Sequence, residues 1–159
     1  MKTYNILFLC THNSARSIIG EALASTHPSG KLKGFSAGST PGTSINPYTM
    51  EIAKELGVDT HLLRSKSWDV FAEPDAPKMD FIITVCDNAA GEQCPFWPGQ
   101  PVTAHWGFPD PSQVQGTDLE KKTAFVSVLN GLKERIDILA SLPLDKLNSI
   151  SLREIHTTV

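Results

Sequence analysis

The chain has no apolar run near the roughly 18 residues that a membrane-spanning helix needs, so no membrane association is expected. Its N-terminus, MKTYNILFLC, carries one lysine and a short apolar stretch but no small-residue cleavage pattern. That argues against a signal peptide and for a cytoplasmic location. Positive charge in excess is also missing. With a formal net charge of −3, the surface does not suit nucleic acid or anionic lipid, and any anion site must be local. Cysteine is scarce, at three residues, and an odd number of thiols in a reducing compartment does not suggest a disulfide framework. No repeat, low-complexity tract or linker divides the sequence, so residues 1–159 are read as one domain. A hydrophobic share of 40% against 19% charged residues excludes a disordered chain.

What is present alternates. Residues 5–10, NILFLC, form a nearly continuous apolar run, the pattern of a strand buried on both faces. Ile18, Ile19, Ala22, Leu23 and Thr26 then mark one side of a helix that Pro28 stops. KGFSAG at 33–38 reads as a second strand and DFIITVC at 80–86 as a third. Asn46-Pro47 caps and opens a helix that Gly57 ends. Five of the eleven prolines fall between 95 and 111, so that segment is mostly loop, with a short fourth strand expected over 102–106. Thr117 and Glu120 form a capping box before a long helix whose face carries Phe125, Val128, Leu129, Leu132, Ile136 and Leu139. A further short helix is expected near 145–155. Strands alternating with helices imply a parallel α/β sheet covered on both sides, which binds ligands beyond the carboxyl ends of its strands.

Cys10 stands at such an end, in LFLCTHNSARS, with Arg16 six residues on. If residues 11–15 form a tight loop into the helix, several backbone N–H groups converge, and the helix N-terminus adds positive partial charge. The result is a cradle for a tetrahedral oxyanion. Arg16 can grip two of its oxygens. The same field favours the Cys10 thiolate, lowering its pKa below the free value of ~8.5, and Ser17 is placed to donate a hydrogen bond to the sulfur. A thiolate beneath a held oxyanion is a nucleophile aimed at the central atom. The plainer alternative is a small buried cysteine beside a solvated arginine.

CTHNSARS resembles the phosphate-binding loop of the low-molecular-weight tyrosine phosphatase family, and SAGS at 36–39 resembles its second signature. VCDNAAGEQCP and AHWGFPDP resemble the arsenate reductase branch rather than the phosphatases. The similarity spans about residues 4–140. It implies a four-stranded parallel sheet in the order 2-1-3-4 with helices on both faces. It also implies an oxyanion site built by Thr11, His12, Asn13, Ser14, Ala15 and Arg16, and arsenate as substrate, with phosphate or sulfate competing; no cofactor or metal is expected in this chain. By the same resemblance, Cys10 attacks arsenate, Cys86 attacks the Cys10 sulfur as arsenite leaves, and Cys94 attacks Cys86. Thioredoxin then reduces the Cys86–Cys94 disulfide, in a role in arsenical resistance. If residues 86–94 were a regular helix, the two cysteines would lie about 12 Å apart. A disulfide tolerates only about 4.4–6.8 Å between Cα atoms, so DNAAGEQ must loop back or unwind.

Asp110 is the candidate general acid, protonating the departing oxygen; the alternative is a turn aspartate partnered with proline. Members of the family this sequence resembles often hold a potassium ion near the loop through groups matching Asn13, Glu21 and Ser36 plus an aspartate. Here Lys66 falls at the aligned position. Its ammonium is expected to bond Asn13 and pair with Glu21 in place of a metal, against the alternative of a solvated lysine. The loop alone does not separate reductase from phosphatase, which share the first step. The phosphatase reading leaves Cys86 and Cys94 idle, and the tyrosine that follows Asp-Pro in those phosphatases is missing after Pro111. A glutathione–glutaredoxin or mycothiol partner instead of thioredoxin, and a non-catalytic phosphate sensor, also remain open. Zinc binding by Cys86, Cys94 and His105 fits no common spacing. His12 is expected either to point outward or to touch substrate. Trp97 and Trp106 read as packing, His105 as structural, and Glu120-Lys121-Lys122 as a solvated face. The protein is expected to be a monomer.

Overall fold

The computed structural model describes residues 3–42, 44–85 and 101–144. Strand β1 (Tyr4–Cys10) is central, pairing in parallel with β2 (Leu32–Gly38) on one side and β3 (Phe81–Thr84) on the other. Beyond β3 lies β4 (Val102–His105), again parallel, giving the order β2-β1-β3-β4. That position explains the continuous apolar run. Ile6, Leu7, Phe8 and Leu9 are all 0% exposed because neighbours cover both edges and both faces.

Successive side chains of β1 alternate between two cores. Ile6, Phe8 and Cys10 join the cluster built with helix α1 (Arg16–Ser25) and helix α3 (Asp118–Ser141). Leu7 and Leu9 join Trp68, Phe71, Met79 and Ile82 on the other side, where the 3-10 turn Trp68–Ala72 covers the sheet. The Cys10 side chain therefore shares the face on which α1 returns. Helix α2 (Pro47–Glu55) packs on α1 through Ala53 and Ile18.

Local chemistry sets the helix ends. The Asn46 side chain accepts from the Tyr48 N–H ahead of Pro47, and Gly57 follows α2 at φ 91°. At the start of α3, Thr117 and Glu120 form the reciprocal capping box. Strand β3 is shorter than the 80–86 expected. Its pairing nevertheless runs one residue further each way, through Asp80 N–H to Asn5 and Val85 N–H to Leu9. Residues 145–155 lie outside the described residues. Among those described, no helix is long and apolar enough to cross a membrane.

Candidate active site

All four strands point the same way, so their carboxyl ends share one edge. There, Cys10 faces Gly38 in register. The loop after Cys10 is held from outside by its carbonyls. Those of Cys10, Thr11, His12 and Ser14 accept from the backbone N–H groups of Ser39 (3.3 Å), Thr40 (2.8 Å), Gly42 (3.1 Å) and Asn46 (3.0 Å). The Ser65 hydroxyl lies 2.9 and 2.8 Å from the carbonyls of His12 and Asn13. In a trans peptide the carbonyl and the next N–H point opposite ways. Tying carbonyls 10–14 outward therefore turns N–H groups 11–15 inward. Asn13 supplies the bend at φ 50°, the left-handed turn of an anion-binding nest. Gly38 makes this packing possible, because a Cβ there would sit 2.5 Å from the Thr11 carbonyl oxygen.

Helix α1 begins at Arg16, and its N-cap, Ala15, makes no side-chain capping bond, whereas Asn46 and Thr117 cap α2 and α3. The first amides of α1 are thereby left for a ligand. Cys10 is 4% exposed. The Arg16 Nη1 donates to the Phe108 carbonyl at 2.9 Å, and Nη2 lies 3.5 Å from Asp110 Oδ2. Arg16 Nε is buried with no hydrogen-bond partner. A guanidinium has five donors in a fixed fork, and the buried Nε keeps its donor for an oxyanion. Asp110 also accepts from the Ser112 N–H (2.9 Å) and hydroxyl (2.6 Å) through Oδ1, so it caps a turn and reaches Arg16 with its second oxygen.

A buried polar network supports the loop from the β2 side. Asn13 and Ser17 are both fully buried, and the Asn13 Nδ2 donates to Ser17 Oγ at 2.8 Å. With its oxygen accepting there, Ser17 keeps its hydroxyl proton for another acceptor. Ser36 Oγ donates to Glu21 Oε1 at 2.5 Å, and the Lys66 ammonium lies 3.8 Å from that carboxylate. Burial pushes the Glu21 carboxyl up, while the Ser36 hydrogen bond and Lys66 pull it back. Burial likewise pushes Lys66 down, against the attraction of Glu21. Lys66 is 12% exposed, not solvated. Its expected contact to Asn13 needs correcting. The backbone N–H of Lys66, not the ammonium, donates to Asn13 Oδ1 at 2.9 Å, and the ammonium reaches the Ser36 carbonyl at 3.1 Å.

The remaining residues separate clearly. His12 is exposed, with Nδ1 3.2 Å from the Thr40 carbonyl. Trp106 is 1% exposed and packs near the Phe8 ring, and His105 bonds Thr84 Oγ1 at 2.8 Å. Lys122 is half-exposed and pairs with Glu51 and Asp118. Cys86, Cys94 and Trp97 lie outside the described residues, which stop at Val85 and resume at Pro101. Ser65 falls in no quoted motif; Gly38 and Phe108 lie within SAGS and AHWGFPDP, but those patterns do not announce their contacts. Phe108 acts through its main chain, which has no side-chain signature.

The sequence matches the family model described as low molecular weight phosphotyrosine protein phosphatase over residues 5–149. The arsenate reductase of Bacillus subtilis (strain 168) is 33% identical over 136 residues, covering 86% of this chain and 94% of the relative. A solved arsenate reductase in the phosphate binding state superposes with a TM-score of 0.64 at 26% identity, covering 87% of this chain and 98% of that one. The thioredoxin-dependent arsenate reductase of Corynebacterium glutamicum gives a TM-score of 0.57 at 26% identity, covering 88% of this chain and 61% of that one. Sheet order, Cys10 loop and family match converge, and the chain belongs to the low-molecular-weight phosphotyrosine protein phosphatase family.

Proposed function

We propose that this chain is a single-domain, monomeric arsenate reductase, regenerated by thioredoxin. The observation that carries the reading is the buried Cys10 under a loop with N–H groups turned inward and an unpartnered Arg16 Nε at its rim. The names of the relatives favour arsenate as the oxyanion. Thioredoxin is favoured by the Corynebacterium glutamicum neighbour and by the pair Cys86 and Cys94.

In this mechanism the amides of Thr11 to Ala15 and the Arg16 fork hold arsenate above Cys10. The positive helix end favours the thiolate, and the Ser17 proton is donated to it. Cys10 Sγ forms a bond to arsenic while one oxygen leaves, protonated by Asp110, as water. Cys86 Sγ then attacks Cys10 Sγ. The sulfur–arsenic bond breaks with its electron pair going to arsenic, which departs as arsenite. Cys94 attacks Cys86, freeing Cys10 as thiolate and leaving a Cys86–Cys94 disulfide. The thioredoxin dithiol takes up that oxidation. Lys66, Glu21, Ser36 and Asn13 keep the loop in shape.

The test is NADPH oxidation with thioredoxin, thioredoxin reductase and arsenate, run beside glutathione plus glutaredoxin. Arsenate-dependent turnover with thioredoxin alone is expected. Turnover only with the glutathione system contradicts the relay. Hydrolysis of an aryl phosphate without arsenate reduction restores the phosphatase reading that the family description carries.

A further inference from the structure

The contacts that hold Arg16 lead away from the Cys10 loop and onto α3. Its Nη1 donates to the Phe108 carbonyl at 2.9 Å, and the Phe108 N–H donates to the Val85 carbonyl at 3.1 Å. The main chain of Phe108 thus spans from the end of β3 to the guanidinium. Its ring rests on α3. An ideal Cβ at Gly131 would meet Phe108 Cε1 at 2.6 Å and Cζ at 3.4 Å, and its three nearest neighbours are all atoms of that ring. The Arg135 guanidinium carbon lies 4.6 Å from the ring centroid.

Gly131 and Arg135 are four residues apart, so they share one helix face. Glycine is a poor choice inside a 24-residue helix, yet here it vacates the space that the ring fills. Arg135 Nε is buried without a hydrogen-bond partner, so the cation–ring contact rather than that donor holds the side chain in place.

We propose that Gly131 and Arg135 are positioning residues for Arg16. They seat the Phe108 ring on α3, which fixes the carbonyl that aims the guanidinium and leaves Nε for the oxyanion. Neither residue touches substrate; both act through Phe108. The proposal rests on the Cys10 loop being the oxyanion site described above.

Inorganic phosphate is the probe, titrated calorimetrically into the reduced full chain, so that the readout does not depend on the thiol relay. Gly131→Ala should weaken phosphate binding ~5- to 10-fold, because small displacements of a positioning group are costly. Arg135→Ala should weaken it about 3-fold and Arg135→Lys, which keeps a cation over the ring, much less. In a Phe108→Leu background, Gly131→Ala should add less than about twofold, since the ring it displaces is gone. A merely structural role for Gly131 would show the same loss in both backgrounds. Arg16→Lys is the control for the site itself. If it loses binding while Gly131→Ala and Arg135→Ala bind like wild type, the positioning role is wrong and the oxyanion site stands. If Arg16→Lys also binds like wild type, the site reading fails and the positioning role falls with it. Should Gly131→Ala not fold, Arg135→Ala against Arg135→Lys decides.

Discussion

The two flanks of the Cys10 loop are held in different ways. On the β2 side the contacts are buried and interlinked: Asn13, Ser17 and Ser36 are 0% exposed, and Lys66 and Glu21 close the network. On the β4 side Arg16 meets one main-chain carbonyl and one carboxylate, Asp110, which is 27% exposed. Its 3.5 Å separation is longer than the ~2.7–2.9 Å of a tight charge-assisted bond. A buried network cannot rearrange without stranding polar groups, so the first flank sets shape. The second carries the groups that the proposed mechanism assigns to the oxyanion, and it is loosely paired and partly exposed.

Substitutions should separate the flanks by what they change. Cys10→Ser should cut arsenate-dependent turnover by ~10³-fold or more, and residual activity above a few per cent would rule Cys10 out as nucleophile. Arg16→Lys should lose ~10²-fold, because a point charge cannot replace the planar fork. On the same flank, Asp110→Asn should lower turnover by about 10²-fold across about pH 6 to 8. Unchanged turnover over that range would leave Asp110 with only its Ser112 turn.

The β2 flank should show its effects in loop stability rather than chemistry. With the Lys66 ammonium beside Glu21 and the Ser36 carbonyl, activity should be indifferent to sodium versus potassium at equal ionic strength. A several-fold potassium stimulation of the wild type would contradict that. The smallest effect concerns pH. Burial raises the Glu21 pKa, so the folded chain binds that proton more tightly than the unfolded one. The Glu21 contribution to stability should therefore decline as pH rises from the ordinary value of 4.5 through the raised one. Denaturant titrations of wild type and Glu21→Gln should show stability falling with pH more steeply for the wild type. A parallel pair of curves would mean that Glu21 titrates normally.

Much of this was readable from residue order, and the exceptions share a cause. NILFLC announced a doubly buried central strand, and Asn46-Pro47 and Thr117–Glu120 announced two helix starts. Each signal is a side-chain pattern with a short physical range. The 3-10 turn Trp68–Ala72, which covers the second face of the sheet, is five residues long and too short for a helical period. Phe108 reaches Arg16 through a carbonyl that every residue possesses, and Ser65 ties down two loop carbonyls from a stretch without pattern. Lys66 was found, but its amide and ammonium divide the roles in a way that only the folded chain path decides.

The relay from Cys10 is tested most directly by what arsenate does to the thiols. Reduced protein is treated with arsenate, alkylated, and mapped by mass spectrometry, with amide exchange measured on the same samples. Wild type should carry a Cys86–Cys94 disulfide and greater exchange over residues 87–96 than the reduced form. Cys94→Ser should stop after about one turnover as an oxidised Cys10–Cys86 species. Free, alkylated Cys94 in the wild type after turnover would contradict the relay and leave glutathione-type chemistry at Cys10 in its place.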